Sequence, residues 1–314
     1  MKKYTYVGVV LLIFSLILSG CSNESSTQDD KTKEKENETR VVSTTMGDVE
    51  IPSNPKRVVI DYFMGDALAL DVKPVGTTYI YEGAYFQEEL KGIPSINGDD
   101  SYGEYSMEKI ASLEPDLIIT AFQTDYDKLS KIAPTIFVDY TNITTEQRLN
   151  LIGKALGKED KVEAVLEDFN NTVEESKSTL EEAGILNKTI SLFETSQKQV
   201  FVYGNKQGRG GEVLYDLLGM KGPEKVEEEI INGEQWRSIS FEVLDQYSGD
   251  YIMIGGWEED PIETVGNNPV WKNTKAVKNE NVIEYNSKAF IYQDIFSTKA
   301  QLNEIVNGLI EKSK

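Results

Sequence analysis

One long amphipathic stretch, set between two groups of short apolar runs, constrains this chain more than any other feature. From residue 159 to 183, Val162, Val165, Leu166, Phe169, Val173 and Leu180 recur at three- and four-residue steps, which predicts a single helix with an apolar stripe. Gly157 before it and Gly184 after it are stop signals. Its 25 residues would span roughly 37 Å. That length suits a stiff spine running along two lobes, although an ordinary surface helix of one domain carries the same pattern.

The flanking runs read as buried strands: 57–61 (RVVID), 116–120 (DLIIT) and 135–139 (TIFVD) before the helix, and 189–193 (TISLF), 199–203 (QVFVY) and 250–254 (DYIMI) after it. Short apolar runs alternating with helical patterns predict a parallel α/β sheet. The 314 residues leave room for two lobes with a core each. A weak internal repeat supports related halves, SMEKIASLEPDLIIT at 106–120 and SFEVLDQYSGDYIMI at 240–254. Each reads as a Ser-capped helix, a turn, an Asp and a strand. The repeat sets Glu108 and Glu242 at equivalent places in the first turn of a helix. There an acid complements the helix dipole; a matched pair of acids also suits docking onto a two-fold partner.

At the start, Lys2 and Lys3 precede an apolar run from 7 to 18 and the tetrapeptide Leu18-Ser19-Gly20-Cys21. The run is short for a membrane span and reads as an export signal. Residues 22–40 hold no large apolar side chain and are expected to form a solvated tether. The expected plan is a signal at 1–20, a tether at 21–40, an N-terminal lobe at 41–158, the linking helix at 159–183 and a C-terminal lobe at 184–314.

Absences exclude several functions. The chain has no His, which removes the usual general base and the commonest metal ligand. Its one Cys, Cys21, permits no internal disulfide and no thiolate cluster. A surface hydrolase built on Ser-His or Cys-His is excluded, and an importer protein for bare zinc is disfavoured. A net charge of −21 argues against nucleic acid.

The most distinctive stretch is YGNKQGRGGEVLYDLLGM at 203–220, a glycine-rich loop between a strand and a helix. Such loops bind anions on backbone N–H groups. Val213 breaks the dinucleotide pattern, and the phosphate-loop ending is missing. Arg209 places a cation beside a helix N-terminus, where positive charge is disfavoured. It is expected either to meet an oxygen-rich ligand with its fixed fork of donors or to pair with a nearby carboxylate such as Glu212.

These residues resemble the hydroxamate-siderophore-binding proteins of Gram-positive ABC importers. The resemblance covers nearly all of the chain after the tether. It includes Ile51-Pro52, Asn54-Pro55-Lys56-Arg57-Val58, Glu108-Lys109-Ile110, Pro115-Asp116-Leu117-Ile118-Ile119, Lys131-Ile132-Ala133-Pro134-Thr135, Gly208-Arg209-Gly210-Gly211, Asp250-Tyr251-Ile252, Trp271-Lys272-Asn273 and Ala276-Val277-Lys278. It implies two Rossmann-like α/β lobes joined by a single long helix, with little hinge movement and ligand in the cleft between them. It implies that Arg209 donates to the oxygens around iron and that Glu108 and Glu242 dock onto arginines of a permease dimer. The start resembles the lipobox of bacterial lipoproteins, which implies lipidation of Cys21 and a place on the outer face of the cell membrane. Some relatives carry Trp just before the Gly-Arg-Gly-Gly motif; here Gln207 stands there, and stacking at that point is lost.

A siderophore fills the coordination sphere of iron with its own oxygens. No protein metal ligand and no cofactor are then expected; shape, aromatic surface and a few donors suffice. Aromatics at or just after strand ends are the candidates: Tyr62, Phe63, Phe122, Tyr140, Trp257 and Tyr292. Each reads equally as core. Phe201 joins them through the resemblance, and Arg237 reads as a second donor or a surface charge. With so few cations, a neutral or weakly charged hydroxamate complex fits better than a catecholate, with a mixed citrate–hydroxamate complex as the rival. Heme would need Tyr or Met as axial ligand, and a structural adhesin leaves the glycine-rich loop unexplained. The protein is expected to be a monomer and not an enzyme.

Overall fold

In the computed structural model, which describes residues 38–99, 103–257 and 260–314, the chain enters through an antiparallel hairpin of β1 (Thr39–Thr44) and β2 (Gly47–Pro52). β1 starts two residues before the expected lobe boundary at 41. Arg40 sits in the ladder opposite Ile51, and its guanidinium donates to Glu159 at 2.7 Å. The expected signal, Cys21 and the tether as far as residue 37 lie outside the described residues.

The first half then runs through β3 (Val58–Ile60), α1 (Met64–Ala69), β4 (Gly76–Thr77), α2 (Met107–Ser112), β5 (Leu117–Thr120), β6 (Thr135–Phe137) and α3 (Thr145–Leu156). Its sheet is parallel throughout, in the order β4-β3-β5-β6. Every residue of its four strands is buried, as expected for a sheet covered on both faces. α3 opens on a capping box of Thr144 and Gln147 and closes on Gly157 at φ +69°.

The next helix, α4 (Glu159–Glu182), follows within two residues and buries Val162, Phe169, Val173 and Leu180. Each fully buried apolar side chain of this kind contributes about 1.5–3 kcal/mol. Asp71 of the first half pairs with Lys161 on α4, and Lys299 of the second half pairs with Asp168. α4 therefore makes ion pairs with both halves.

The second half holds β7 (Ile190–Ser196), β8 (Gln199–Tyr203), a short π-helical segment (Glu212–Leu217), β9 (Trp236–Ile239), β10 (Tyr251–Gly256), β11 (Val282–Asn286) and α5 (Ile295–Lys312). The sheet order is β11-β10-β7-β8-β9. β10 and β11 run parallel to β7, whereas β8 is antiparallel to both of its neighbours. This corrects the expectation of a purely parallel sheet. Gln197 and Lys198 both adopt left-handed φ, at +50° and +60°, and reverse the chain within two residues. A link that short joins only antiparallel strands.

The internal repeat survives in its aspartates. Asp116 accepts the Lys56 and Arg57 N–H groups at 2.7 and 2.9 Å, just ahead of β3. Asp250 accepts the Thr189 N–H at 3.0 Å, just ahead of β7. In each half, the acid before one strand anchors the start of its parallel neighbour. The caps differ. Ser106 accepts from the Lys109 N–H at 3.2 Å, while Ser240 makes no cap bond and Phe241–Tyr247 winds as a 3-10 helix.

Hydrogen bonds lock the halves together. Tyr62 donates to the Ile291 carbonyl at 2.8 Å, Arg148 to the Gln293 carbonyl at 2.7 Å, and Tyr85 to Glu304 at 2.6 Å. The Ile295 N–H donates to Asp66 at 2.7 Å, and Thr145 donates to Glu212. One continuous apolar core runs through both halves, and residues 38–314 form a single compact unit.

Candidate ligand site

The glycine-rich loop folds back over the sheet after β8, and close approach dictates its glycines. A Cβ on Gly211 would lie 1.9 Å from the Gly204 carbonyl oxygen; one on Gly208, at φ +69°, would lie 2.7 Å from that of Ile291. Between them Arg209 takes φ +61°, unusual for a residue with a side chain, and its N–H donates to the Phe290 carbonyl at 2.6 Å.

This fold-back puts the Arg209 side chain over β7. Nε meets Glu194 Oε2 at 3.2 Å, Nη2 meets Glu194 Oε1 at 3.1 Å, and Nη1 donates to the Gln207 carbonyl at 2.9 Å. The partner carboxylate is thus Glu194, 3% exposed in the middle of a buried strand, and not Glu212, which accepts from Thr145. Three of the five guanidinium N–H groups donate within the protein, and the other two make no hydrogen bond among the described residues. Burial pulls the Arg209 pKa down, but the Glu194 carboxylate more than offsets this, so the cation is held. The guanidinium carbon stands 4.5 Å above the Tyr203 ring and 5.8 Å from the Trp257 ring. The Tyr203 hydroxyl donates to Glu194, and burial pushes its pKa up to about 12.

The first half supplies aromatic surface. The Tyr62 ring centre lies 4.9 Å from Phe63, 5.7 Å from Tyr140, 6.0 Å from Phe122 and 6.5 Å from Tyr292. Tyr62, Phe122 and Tyr140 are half-buried. Phe63 and Tyr292 are core residues: Phe63 lies under the Arg148 guanidinium at 4.8 Å, and the Tyr292 hydroxyl accepts the Tyr81 N–H at 3.1 Å. They support the wall without forming its surface. Beneath Phe122, Asp61 accepts from Thr120, from the Ala121 N–H and from Tyr105, and burial pushes its pKa up to about 6.

Tyr81 joins the two groups. Its backbone reaches Tyr292, and its ring meets Trp257 edge-on with centres 5.2 Å apart. A cavity of about 590 Å³ opens between the halves, lined by Tyr140, Thr144, Asn170, Asn205 and Lys206 among others. Another of about 560 Å³ is bordered by Glu82, Trp257, Asn286 and Lys288.

Arg237 lies elsewhere. Residues directly opposite on paired strands share a face. Arg237 pairs with Val202, whereas Phe201 pairs with Ser238 and Glu194. Arg237 therefore points to the far side of the sheet, where it binds Glu229, Glu234 and Tyr247. As a second donor beside Arg209 it is ruled out by that register; it belongs to a surface charge cluster. Glu108 and Glu242 are both exposed and make no hydrogen bond or ion pair among the described residues.

The residues that sequence reading did not place at the site are Glu194, Tyr203 and Tyr81. Glu194 carried a signal, as a lone acid directly after the apolar run of β7. Tyr81 carried none, since it lies in an irregular segment that follows no apolar run.

Comparison with known proteins places the chain in a family. The chain is 34% identical to the iron(3+)-hydroxamate-binding protein FhuD of Bacillus subtilis (strain 168), over 98% of each chain. It is 31% identical to the iron(3+)-hydroxamate-binding protein YxeB of the same organism, over 100% of this chain and 99% of that one. The structure of FhuD2 from Staphylococcus aureus with bound ferrioxamine B superposes with a TM-score of 0.73 at 28% identity, covering 83% of this chain and 100% of that chain. Residues 64–289 match the periplasmic binding protein family, whose members bind substrates and do not transform them, and the chain belongs to that family.

Proposed function

We propose that this protein captures ferric hydroxamate siderophores and delivers them to the permease of an ABC importer. The observation that carries the reading is Arg209: a buried carboxylate fixes its guanidinium between Tyr203 and Trp257, with two N–H groups to spare. Those donors suit the oxygens around a wrapped Fe(III), and Tyr62, Phe122, Tyr140, Trp257 and Phe201 suit its organic coat. Arg148, over Phe63, is tied to Asp66 and the Gln293 carbonyl, and Arg237 faces the other side of the sheet, so of these arginines Arg209 is the one with donors to offer, and a single guanidinium favours a neutral complex over a triply negative catecholate. The hydroxamate-binding relatives support the same class.

Delivery rests on Cys21 as lipid anchor at the outer face of the membrane, and on Glu108 and Glu242 as the two contacts with a permease dimer. The test is a calorimetric titration of the purified chain with ferrioxamine B, ferrichrome, ferric citrate and bare Fe(III). Saturable binding of the first two, and none of bare Fe(III), is expected. Binding of bare Fe(III) alone overturns the reading, and preference for ferric citrate moves it to the citrate class.

A further inference from the structure

Asp61 follows β3 directly and is buried among polar partners from neighbouring segments. Its Oδ2 accepts from the hydroxyl of Thr120, the last residue of β5, and at 3.2 Å from that of Tyr105, just ahead of α2. Its Oδ1 accepts the Ala121 N–H at 3.0 Å. The backbone is tied as well: the Asp61 N–H donates to the Ile119 carbonyl at 3.3 Å, and the Asp61 carbonyl accepts from the Thr78 hydroxyl, just past β4, at 2.9 Å. One residue thus knits together the C-terminal ends of β4, β3 and β5, where open α/β sheets hold their ligands.

The aromatic surface of the first half grows out of these same strand ends. Tyr62 is the next residue after Asp61, and Phe122 follows Ala121. The Thr120 hydroxyl donates to Asp61 and accepts the Phe122 N–H at 3.1 Å, so the carboxylate reaches the Phe122 backbone through one hydroxyl. The Tyr105 ring lies 6.3 Å from that of Phe122, which lies 6.0 Å from that of Tyr62. An ionised Asp61 only accepts, so all three donors find their partner. A proton on Oδ2 turns away the Thr120 or the Tyr105 hydroxyl, and with it the backbone or the ring that the hydroxyl holds. Burial pushes the Asp61 pKa up to about 6 against the pull of the three donors; the titratable groups that act on it are Tyr105, through its hydrogen bond, and Asp125, through its charge.

We infer that Asp61, in its ionised form, is a positioning residue of the ligand site, setting Tyr105 and Phe122, and through Phe122 the packing of Tyr62, against the organic coat of the ferric siderophore. The inference rests on the proposed function and adds to it a control of affinity by pH. A merely structural carboxylate has a different signature. Because its pKa rises on folding, Asp61 supplies stability that is complete below pH 3.8 and is lost as pH rises through about 6. Affinity, which needs the ionised form, is gained over that same range, so the two move in opposite directions.

The experiment titrates wild type and Asp61→Asn with ferrioxamine B by calorimetry from pH 5 to pH 8, with urea denaturation at each pH. Wild-type affinity is expected to rise about three- to ten-fold across that range, the scale of one aromatic contact. Asp61→Asn keeps an acceptor for the Ala121 N–H and sets a donor where the two hydroxyls now donate, as the protonated acid does. It should bind at pH 8 as weakly as wild type does at pH 5, with a flat profile, while its stability relative to wild type rises with pH. A flat wild-type profile, or wild-type affinity in Asp61→Asn at pH 8, overturns this inference and leaves the proposed function standing; no binding by wild type at any pH overturns both. Asp294, buried and also raised in pKa, titrates in both proteins, so a pH dependence that survives in full in Asp61→Asn likewise overturns the inference. Should Asp61→Asn fail to fold, Tyr105→Phe decides: it removes a donor that holds the Asp61 pKa down, so the midpoint of the affinity profile should move to higher pH, and an unmoved midpoint sinks the idea.

Discussion

Glu194 grips Arg209 through two hydrogen bonds, of 3.2 and 3.1 Å, so the candidate ligand donor is itself held by a buried carboxylate from a neighbouring strand. Removing one partner leaves the other buried and unpaired, which costs about 3–5 kcal/mol of stability. Arg209→Ala therefore cannot separate folding from binding. Replacing both residues can, because a buried ion pair is often exchanged for apolar side chains without loss. The double variant Arg209→Met/Glu194→Met is expected to melt near the wild type and to bind ferrioxamine B at least thirty-fold more weakly, roughly the 2 kcal/mol of a binding hot spot. Thermal denaturation and calorimetry on the same preparation check it; a double variant that binds like the parent removes Arg209 from the site.

The loop itself makes a second prediction. Gly211→Ala drives a methyl group into the Gly204 carbonyl, 1.9 Å away, and both are backbone, so nothing flexible yields. The cost is expected at about 1–3 kcal/mol, typical of overpacking. Because the shift falls between Tyr203 and Arg209, affinity should fall with stability. Gly219→Ala is the control: its Cβ meets nothing within 4 Å, and φ +71° alone costs it roughly 1–2 kcal/mol. It should lose stability without losing affinity, as read by urea denaturation and titration.

How far these features were legible depends on the range of the forces behind them. The strands of both halves and the span of α4 follow from local periodicity, and the strand-end rule named Tyr62, Phe122 and Tyr140, whose rings pack together, and Trp257, which the fold sets near Arg209. The antiparallel β8 was within reach: five residues between runs ending at 193 and starting at 199 are too few for a parallel crossover. The turn escaped notice because Gln197 and Lys198 hold left-handed φ without glycine or asparagine. Arg209's partner was not recoverable from spacing. Glu212 is three residues away, yet the helix after the loop turns it toward Thr145, while Glu194 arrives from across the sheet. Arg237 failed for a related reason, since facing depends on the register of β9 against β8.

A third prediction concerns pH. Asp294 caps α5 by accepting from the Ser297 N–H at 2.8 Å and from its hydroxyl at 3.0 Å. Burial, reinforced by Asp66 against the opposing pull of Arg148, pushes its pKa from 3.8 up to about 7. The folded chain therefore holds this proton more tightly than the unfolded chain does. The stability it supplies is complete below pH 3.8 and is lost as pH rises through about 7. Asp294→Asn keeps an N-cap acceptor and removes the charge. The variant should match wild type below about pH 4 and exceed it at pH 8 by at least about 1 kcal/mol, since each shifted pKa unit is worth 1.36 kcal/mol. Melting curves across that range decide; a variant less stable at pH 8 than at pH 5 relative to wild type contradicts the assignment.

The last prediction separates capture from delivery. Glu108 and Glu242 stand exposed, each in the first turn of a helix, one in each half. Neither is tied into a hydrogen bond or ion pair among the described residues, so neither supports the fold beyond its interaction with a helix end, about 0.3–1 kcal/mol apiece. Glu108→Lys and Glu242→Lys, singly and together, should leave the titration with ferrioxamine B unchanged within two-fold, about 0.4 kcal/mol. Transfer to the permease is a different matter if the two acids meet cationic side chains there, because reversing a charge turns an attractive contact into a repulsive one. Each single variant should slow uptake of iron-loaded siderophore by cells, and the pair should do so more strongly, because the two contacts act on one rigid body. Glu108→Gln and Glu242→Gln should fall between. Uptake at the wild-type rate in the doubly reversed variant would show that the permease reads some other surface.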